Sequence, residues 1–195
     1  TAYRRRIAYP EVAGISPDFV IDDVQRAAVA GTRLTVDAGA HMFATIGLWP
    51  AMRPYGILKS NGLSSMGYAL PAAIASALTE PSVPVVAVTG DGGISMCIGE
   101  LATARELDLD ITVIVMNDSA LSLIDIKQQR QQRPSLGVRY PAQDFAAIAK
   151  AYGWQSARTG NPDELRSALA QTGPKLIDVH IDAAGYGNDL ERLRG

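Results

Sequence analysis

VPVVAVTGDGGISMCIGEL, residues 83–101, decides how the chain folds. An apolar run breaks at a glycine-rich turn, and a helix-forming segment follows. The run from Val85 to Val88 has no polar residue on either side of the pleat. A strand with one wet face alternates; a strand apolar on both faces sits inside a parallel sheet covered by helices. ITVIVMN (111–117) has the same character. Around these two strands, helical and extended patterns take turns. SPDFVIDDVQRAAVAG (16–31) reads as a helix with Ser16 as N-cap, Pro17 at the first helical position and Gly31 as the stop. RLTVDAG (33–39) is a short strand ending at a glycine turn, and MGYALPAAIASALTE (66–80), small and apolar all round, is a buried helix. SMCIGELATARELD (95–108), AQDFAAIAKAYG (142–153) and NPDELRSALAQTG (161–173) are further helices, and KLIDVHID (175–182) is a last strand. The order predicts an α/β three-layer sandwich, with a mainly parallel central sheet and helices on both faces. Residues 16–185 are expected to form the domain, with 1–15 as a linker and 186–195 as a tail.

Composition narrows the function. The chain has 195 residues, of which 47% are hydrophobic, enough to bury a core. A formal net charge of −2 and the absence of a basic stripe argue against nucleic acid as partner. No apolar run reaches membrane-spanning length. The single cysteine, Cys97, excludes an internal disulfide and suits a reducing compartment, so a cytoplasmic location is expected.

Ligands of open α/β sheets bind outside the carboxyl ends of the strands. Three polar turns fall there: DAGAHM (37–42), GDGGIS (90–95) and NDSALS (117–122). Gly90, Gly92 and Gly93 allow close approach to an anion, and a helix from about Ser95 would add the positive end of its dipole. Asp91 would repel that anion unless a divalent cation stood between them. Mg²⁺ is commonly held by one or two carboxylates together with phosphate oxygens. Asp118, at the end of the next strand, is the expected second ligand. Two other readings stay open at this level. Asp91 can be a helix cap with Asp118 opening a turn, and GDGGIS nearly fits a dinucleotide fingerprint, with Ser95 in place of the third glycine.

GDG followed by Asn117 and a polar partner, with 24 residues between Gly92 and Asn117, resembles the thiamine-diphosphate motif. TVDAGAHMF (35–43), SNGLSSMGYALPAAIASAL (60–78) and GDGGISMCIGELATA (90–104) are similar to segments of thiamine-diphosphate enzymes of the acetolactate synthase and benzoylformate decarboxylase type. The resemblance runs over roughly residues 30–185. It implies a C-terminal diphosphate-binding domain whose cofactors are thiamine diphosphate and Mg²⁺. By this resemblance Asp91, Asp118 and the main-chain oxygen of Ala120 would hold the cation. Ala40, His41, Gly90, Gly92, Gly93, Ser122 and Leu123 would contact the diphosphate. Met66 would support the bent cofactor, and the Ser64 carbonyl would accept from its 4′-amino group.

The implied activity is decarboxylation of a 2-keto acid, followed by transfer to a second carbonyl or by simple release of an aldehyde. The implied partner is a pyrimidine-binding domain or subunit that supplies an activating glutamate, in a homo- or hetero-oligomer. None of Glu11, Glu80, Glu100, Glu106, Glu164 and Glu191 matches that glutamate, and no acid–base catalyst is assigned within the chain. Two departures stand out. Aspartate at 118 replaces the usual asparagine, and Lys127 stands where anabolic enzymes carry a tryptophan. The run DIKQQRQQR (125–133) reads equally as a solvated helix face. His180 and Cys97 are read as structural.

Overall fold

The computed structural model describes residues 14–186; most of the expected linker and nearly all of the expected tail lie outside them. Six strands form one sheet: β1 (Arg33–Val36), β2 (Ile57–Lys59), β3 (Val85–Gly90), β4 (Ile111–Asn117), β5 (Gln155–Thr159) and β6 (Lys175–His180). They lie in the order β2-β1-β3-β4-β6-β5, and every pairing is parallel. Eight α-helices accompany them among the described residues, α1 ahead of β1 and the rest between strands: α1 (Pro17–Ala27), α2 (Ala40–Leu48), α3 (Ala69–Thr79), α4 (Asp91–Cys97), α5 (Glu100–Glu106), α6 (Ser122–Arg130), α7 (Phe145–Ala151) and α8 (Pro162–Leu169).

The unbroken apolar strands have two destinations for their side chains. Val86, Val88, Ile114, Met116, Ile177 and Val179 join Val20, Ile21 and Leu165 in a core under α1, α2 and α8. Val85, Ala87, Ile111, Val113, Val115 and Leu176 join Leu70, Ile74, Leu101 and Phe145 in a second core under α3, α5 and α7. Adjacent residues of one strand thus enter opposite layers, which is the pleat expressed in a doubly covered sheet. The three-layer expectation holds.

Local chemistry sets the helix ends. The Ser16 hydroxyl accepts from the Phe19 N–H at 3.3 Å, ahead of Pro17. Asn161 and Asp144 cap α8 and α7 in the same way. α1 stops at Ala27, ahead of Gly31, which lies in the following turn with φ +86°. The segment expected as one helix over 95–108 is two. The first starts at Asp91, so Gly92 and Gly93 lie inside its first turn, and Gly99 separates it from α5.

The chain leaves β1 toward β2 on one side, and β3 then pairs with the other edge of β1. α2, after β1, packs on the first core, while α3 and α5 pack on the second. The connections therefore diverge to opposite faces at the β1/β3 boundary. A crevice opens at the carboxyl ends of such strands because nothing fills the space between diverging connections.

Candidate functional site

That crevice is a cavity of about 370 Å³. Its wall includes all twelve residues singled out from the sequence: Ala40 and His41 beyond β1, Ser64 and Met66 ahead of α3, Gly90 to Gly93 at the end of β3, and Asp118, Ala120, Ser122 and Leu123 beyond β4. Lys127 and Tyr186 line it as well. Asn117 does not: its amide donates to the Gln143 carbonyl (3.1 Å) and to Asp178 Oδ1 (2.9 Å), tying β4 to β6. His180 is exposed at the end of β6. Cys97 is half-buried against the second core, and burial pushes its thiol up to about 12.

Neighbouring atoms stand close to where a Cβ on these glycines would be. A Cβ on Gly92 would lie 2.8 Å from Leu121 Cδ2, 3.0 Å from Met66 Cε and 3.2 Å from Tyr140 Oη. One on Gly93 would lie 2.0 Å from Asp37 Oδ2, and one on Gly39 would meet the His41 ring at 2.6 Å. The His41 ring also sits against Gly90, where a Cβ would be 3.1 Å away.

Asp37 was not among the residues picked from the sequence, yet it joins three walls of the cavity. It is fully buried. Its carboxylate accepts from the N–H groups of Gly67 (3.1 Å), Tyr68 (2.6 Å) and Ala69 (2.5 Å) and from the Thr89 hydroxyl (2.7 Å). It therefore fixes the start of α3, and the loop carrying Ser64 and Met66, against the ends of β1 and β3. Ser64 (φ 51°) and Ser119 (φ 57°), on opposite walls, hold left-handed backbone that costs a non-glycine residue free energy.

The electrostatics are unbalanced. Asp91 is 3% exposed. Its Oδ1 accepts from the Gly92 N–H at 2.7 Å, but its Oδ2 is buried with no hydrogen-bond partner. Burial raises its pKa, against the stabilising Tyr140 hydroxyl and nearby N–H groups. Burial likewise pushes Asp118 up to about 6; the Ser122 hydroxyl, which donates to it, lowers that value and the charge of Asp91 adds to the rise. His41 is pushed down to about 4 by burial despite the nearby Asp37 charge, and its Nε2 has no partner. Two ionised carboxylates are disfavoured side by side in this setting, and a cation between them would relieve both. A glycine cradle, an orphaned carboxylate oxygen and an orphaned imidazole nitrogen together fit a metal-bound diphosphate. No cluster of three or more metal-binding side chains occurs among the described residues, so a cation here needs main-chain or phosphate oxygens too.

Such a cavity, at a topological switch point with paired acids beside a glycine-rich turn, defines a class of phosphate-cofactor-binding α/β domain. Residues 37–179 match the family described as "Thiamine pyrophosphate enzyme, C-terminal TPP binding domain", and the chain belongs to it. It is 37% identical over 156 residues to the acetolactate synthase isozyme 1 large subunit of Escherichia coli, covering 77% of this chain and 28% of that protein. It is 35% identical over 191 residues to the isozyme 3 large subunit of the same organism, covering 93% and 33%. Against the acetolactate synthase of Bacillus subtilis it is 31% identical over 167 residues, covering 84% and 29%. The chain thus spans about three-tenths of the length of these relatives.

Proposed function

We propose that this chain is the thiamine-diphosphate- and Mg²⁺-binding part of a 2-keto acid decarboxylating carboligase of the acetolactate synthase type. The observation that carries the reading is the pair of carboxylates beyond neighbouring strands, buried Asp91 and half-buried Asp118, with Asp91 Oδ2 making no well-formed hydrogen bond beside a glycine cradle. In this reading Asp91, Asp118 and the Ala120 carbonyl hold Mg²⁺. Gly90, Gly92, Gly93, Ala40, His41, Ser122 and Leu123 surround the diphosphate. The neutral His41 imidazole can donate from one nitrogen without bringing a charge into a buried site. Met66, whose methyl group reaches over Gly92, supports the ring system, and the carbonyl of Ser64 accepts from the aminopyrimidine. The bound cofactor supplies the carbanion chemistry; the chain supplies orientation, charge balance and exclusion of water.

No glutamate lines the cavity among the described residues. The reading therefore requires a pyrimidine-binding domain or subunit to complete the site, which accords with relatives some three times as long. A cytoplasmic location belongs to the same reading, on the strength of the lone thiol at Cys97. The second reading, a decarboxylase that releases the aldehyde without carboligation, is favoured by one observation. Lys127 lines the cavity and places a flexible cation where anabolic enzymes carry an indole.

The test is a thermal-shift titration with Mg²⁺, with thiamine diphosphate, and with both, on wild type and Asp91→Ala. A ligand that binds only the folded state raises the midpoint with concentration. Stabilisation by the combination alone, lost in D91A, supports the site. Absence of any shift at millimolar cofactor and metal counts against it. Product analysis with pyruvate then separates the two readings by the ratio of acetolactate to acetaldehyde.

A further inference from the structure

Tyr140 lies 48 positions beyond Gly92, outside every segment that suggested the site, yet its hydroxyl ends beside Gly92. After α6 the chain returns as a strap across the 119–121 turn. Ala120 and Arg139 form an antiparallel bridge, the Leu121 N–H donates to the Val138 carbonyl at 2.7 Å, and the Tyr140 N–H donates to the Ser119 carbonyl at 3.2 Å. Side chains pin the strap to α6. The buried Asp125 accepts from Arg139 at 2.7 Å and from the Ser135 hydroxyl, and the Gln128 amide bonds Leu136 in both directions at 3.1 Å. So held, the phenol projects to within 3.2 Å of the position of a Gly92 Cβ. Its oxygen is buried next to the Asp91 carboxylate, whose charge it stabilises, but neither it nor Asp91 Oδ2 makes a well-formed hydrogen bond. A buried polar atom without a well-formed hydrogen bond costs about 1–3 kcal/mol, and an oxygen placed between the phenol and the carboxylate's cation would give the hydroxyl a full acceptor.

We propose that Tyr140 is an additional residue of the cation–diphosphate site, its hydroxyl donating to an oxygen of the group held between Asp91 and Gly92. This rests on the metal–diphosphate reading of the cavity. The oxygen belongs either to a phosphate or to a water on the cation. In both cases it is an electron-rich oxygen that a neutral phenol can serve and a carboxylate cannot.

The experiment is calorimetric titration of the protein with Mg²⁺ alone and with Mg²⁺ plus inorganic pyrophosphate, for wild type, Tyr140→Phe and Leu136→Ala. Leu136 is on the same strap but 77% exposed, so its variant controls for loosening of the strap. A hydrogen bond to a charged group accounts for roughly a tenfold change in affinity. Y140F is expected to bind Mg²⁺–pyrophosphate about tenfold more weakly, with the unfolding midpoint of the unliganded protein little changed. A loss confined to the pyrophosphate titration assigns the phosphate oxygen; an equal loss with Mg²⁺ alone assigns the cation-bound water. Y140F affinities within twofold of wild type overturn the proposal, as does an equal loss in L136A. If wild type binds neither probe, the metal–diphosphate reading fails first and takes this one with it.

Discussion

Replacing Asp118 with asparagine should stabilise the metal-free protein above pH 6 and leave it unchanged near pH 4. The folded state raises the Asp118 carboxyl from an ordinary 3.8 to about 6, through burial and the Asp91 charge. Because the folded pKa lies above the unfolded one, folding favours the protonated form. The contribution is fully present below pH 3.8 and is lost as pH rises to about 6. At about 1.36 kcal/mol per tenfold change in proton affinity, the full span is about 3 kcal/mol. Loss of the Ser122 hydrogen bond and partial solvation of the site reduce this, so we expect a gain of about 1–3 kcal/mol for D118N at neutral pH. Urea unfolding in a chelator at pH 4, 5, 6 and 7.5 measures it. Wild type should lose stability relative to the variant across pH 4–6, and saturating Mg²⁺ with thiamine diphosphate should close the gap. Parallel stability–pH curves for the two proteins in chelator would refute the account of Asp118 as a half-buried like charge awaiting a cation.

Three further outcomes are expected. Gly93→Ala places a methyl group 2.0 Å from Asp37 Oδ2 and should destabilise the protein by about 3 kcal/mol or more, read as a drop in the denaturation midpoint. Asp37→Asn turns an amide toward the three N–H groups at the start of α3; a loss of about 3 kcal/mol, together with faster hydrogen exchange at Gly67, Tyr68 and Ala69, is the predicted signature. The His41 imidazole, held near 4 by burial, should show no titration between pH 5 and 8 in the metal-free protein when followed by NMR; a midpoint above 6 would contradict its neutral, desolvated state.

What could be read in the sequence follows the range over which each contact acts. β3 and β4 were legible because a doubly buried strand leaves its mark on consecutive residues. The starts of α1 and α8 were legible because Ser16 and Asn161 cap donors three residues away. β5 was missed: QSART lies on the sheet edge, carries polar side chains, and has only Thr159 buried. β2, three residues long, offers no period to detect. α2 was taken for a polar turn, since only its first residues carry the turn chemistry and the rest is apolar without a stripe. The run DIKQQRQQR belongs largely to α6, whose Leu123 and Lys127 nevertheless face the cavity. At the site, the glycines and Asp91 were visible because they are contiguous. Tyr186, which lines the cavity, and Asp37 and Tyr140, which stand behind Gly93 and Gly92, were not, since each comes to the site only through packing of distant segments. A signal did exist for Asp37: a carboxylate closing a buried apolar strand requires donors from elsewhere in the fold.

The reach of the Asp37 carboxylate bears on when the cavity comes into being. Its four donors lie 30, 31, 32 and 52 residues further along the chain. Closing loops of that size carries an entropic cost that only the native sheet repays. A partly folded chain in which β1 and β3 have not paired therefore has no weak version of the pocket, because the segments that carry three of its walls meet at that one carboxylate. Affinity for the cofactor should rise in a single step with the last cooperative event of folding. Occupancy, once gained, should slow global unfolding rather than local fraying, so that an empty protein and a loaded one differ most in lifetime.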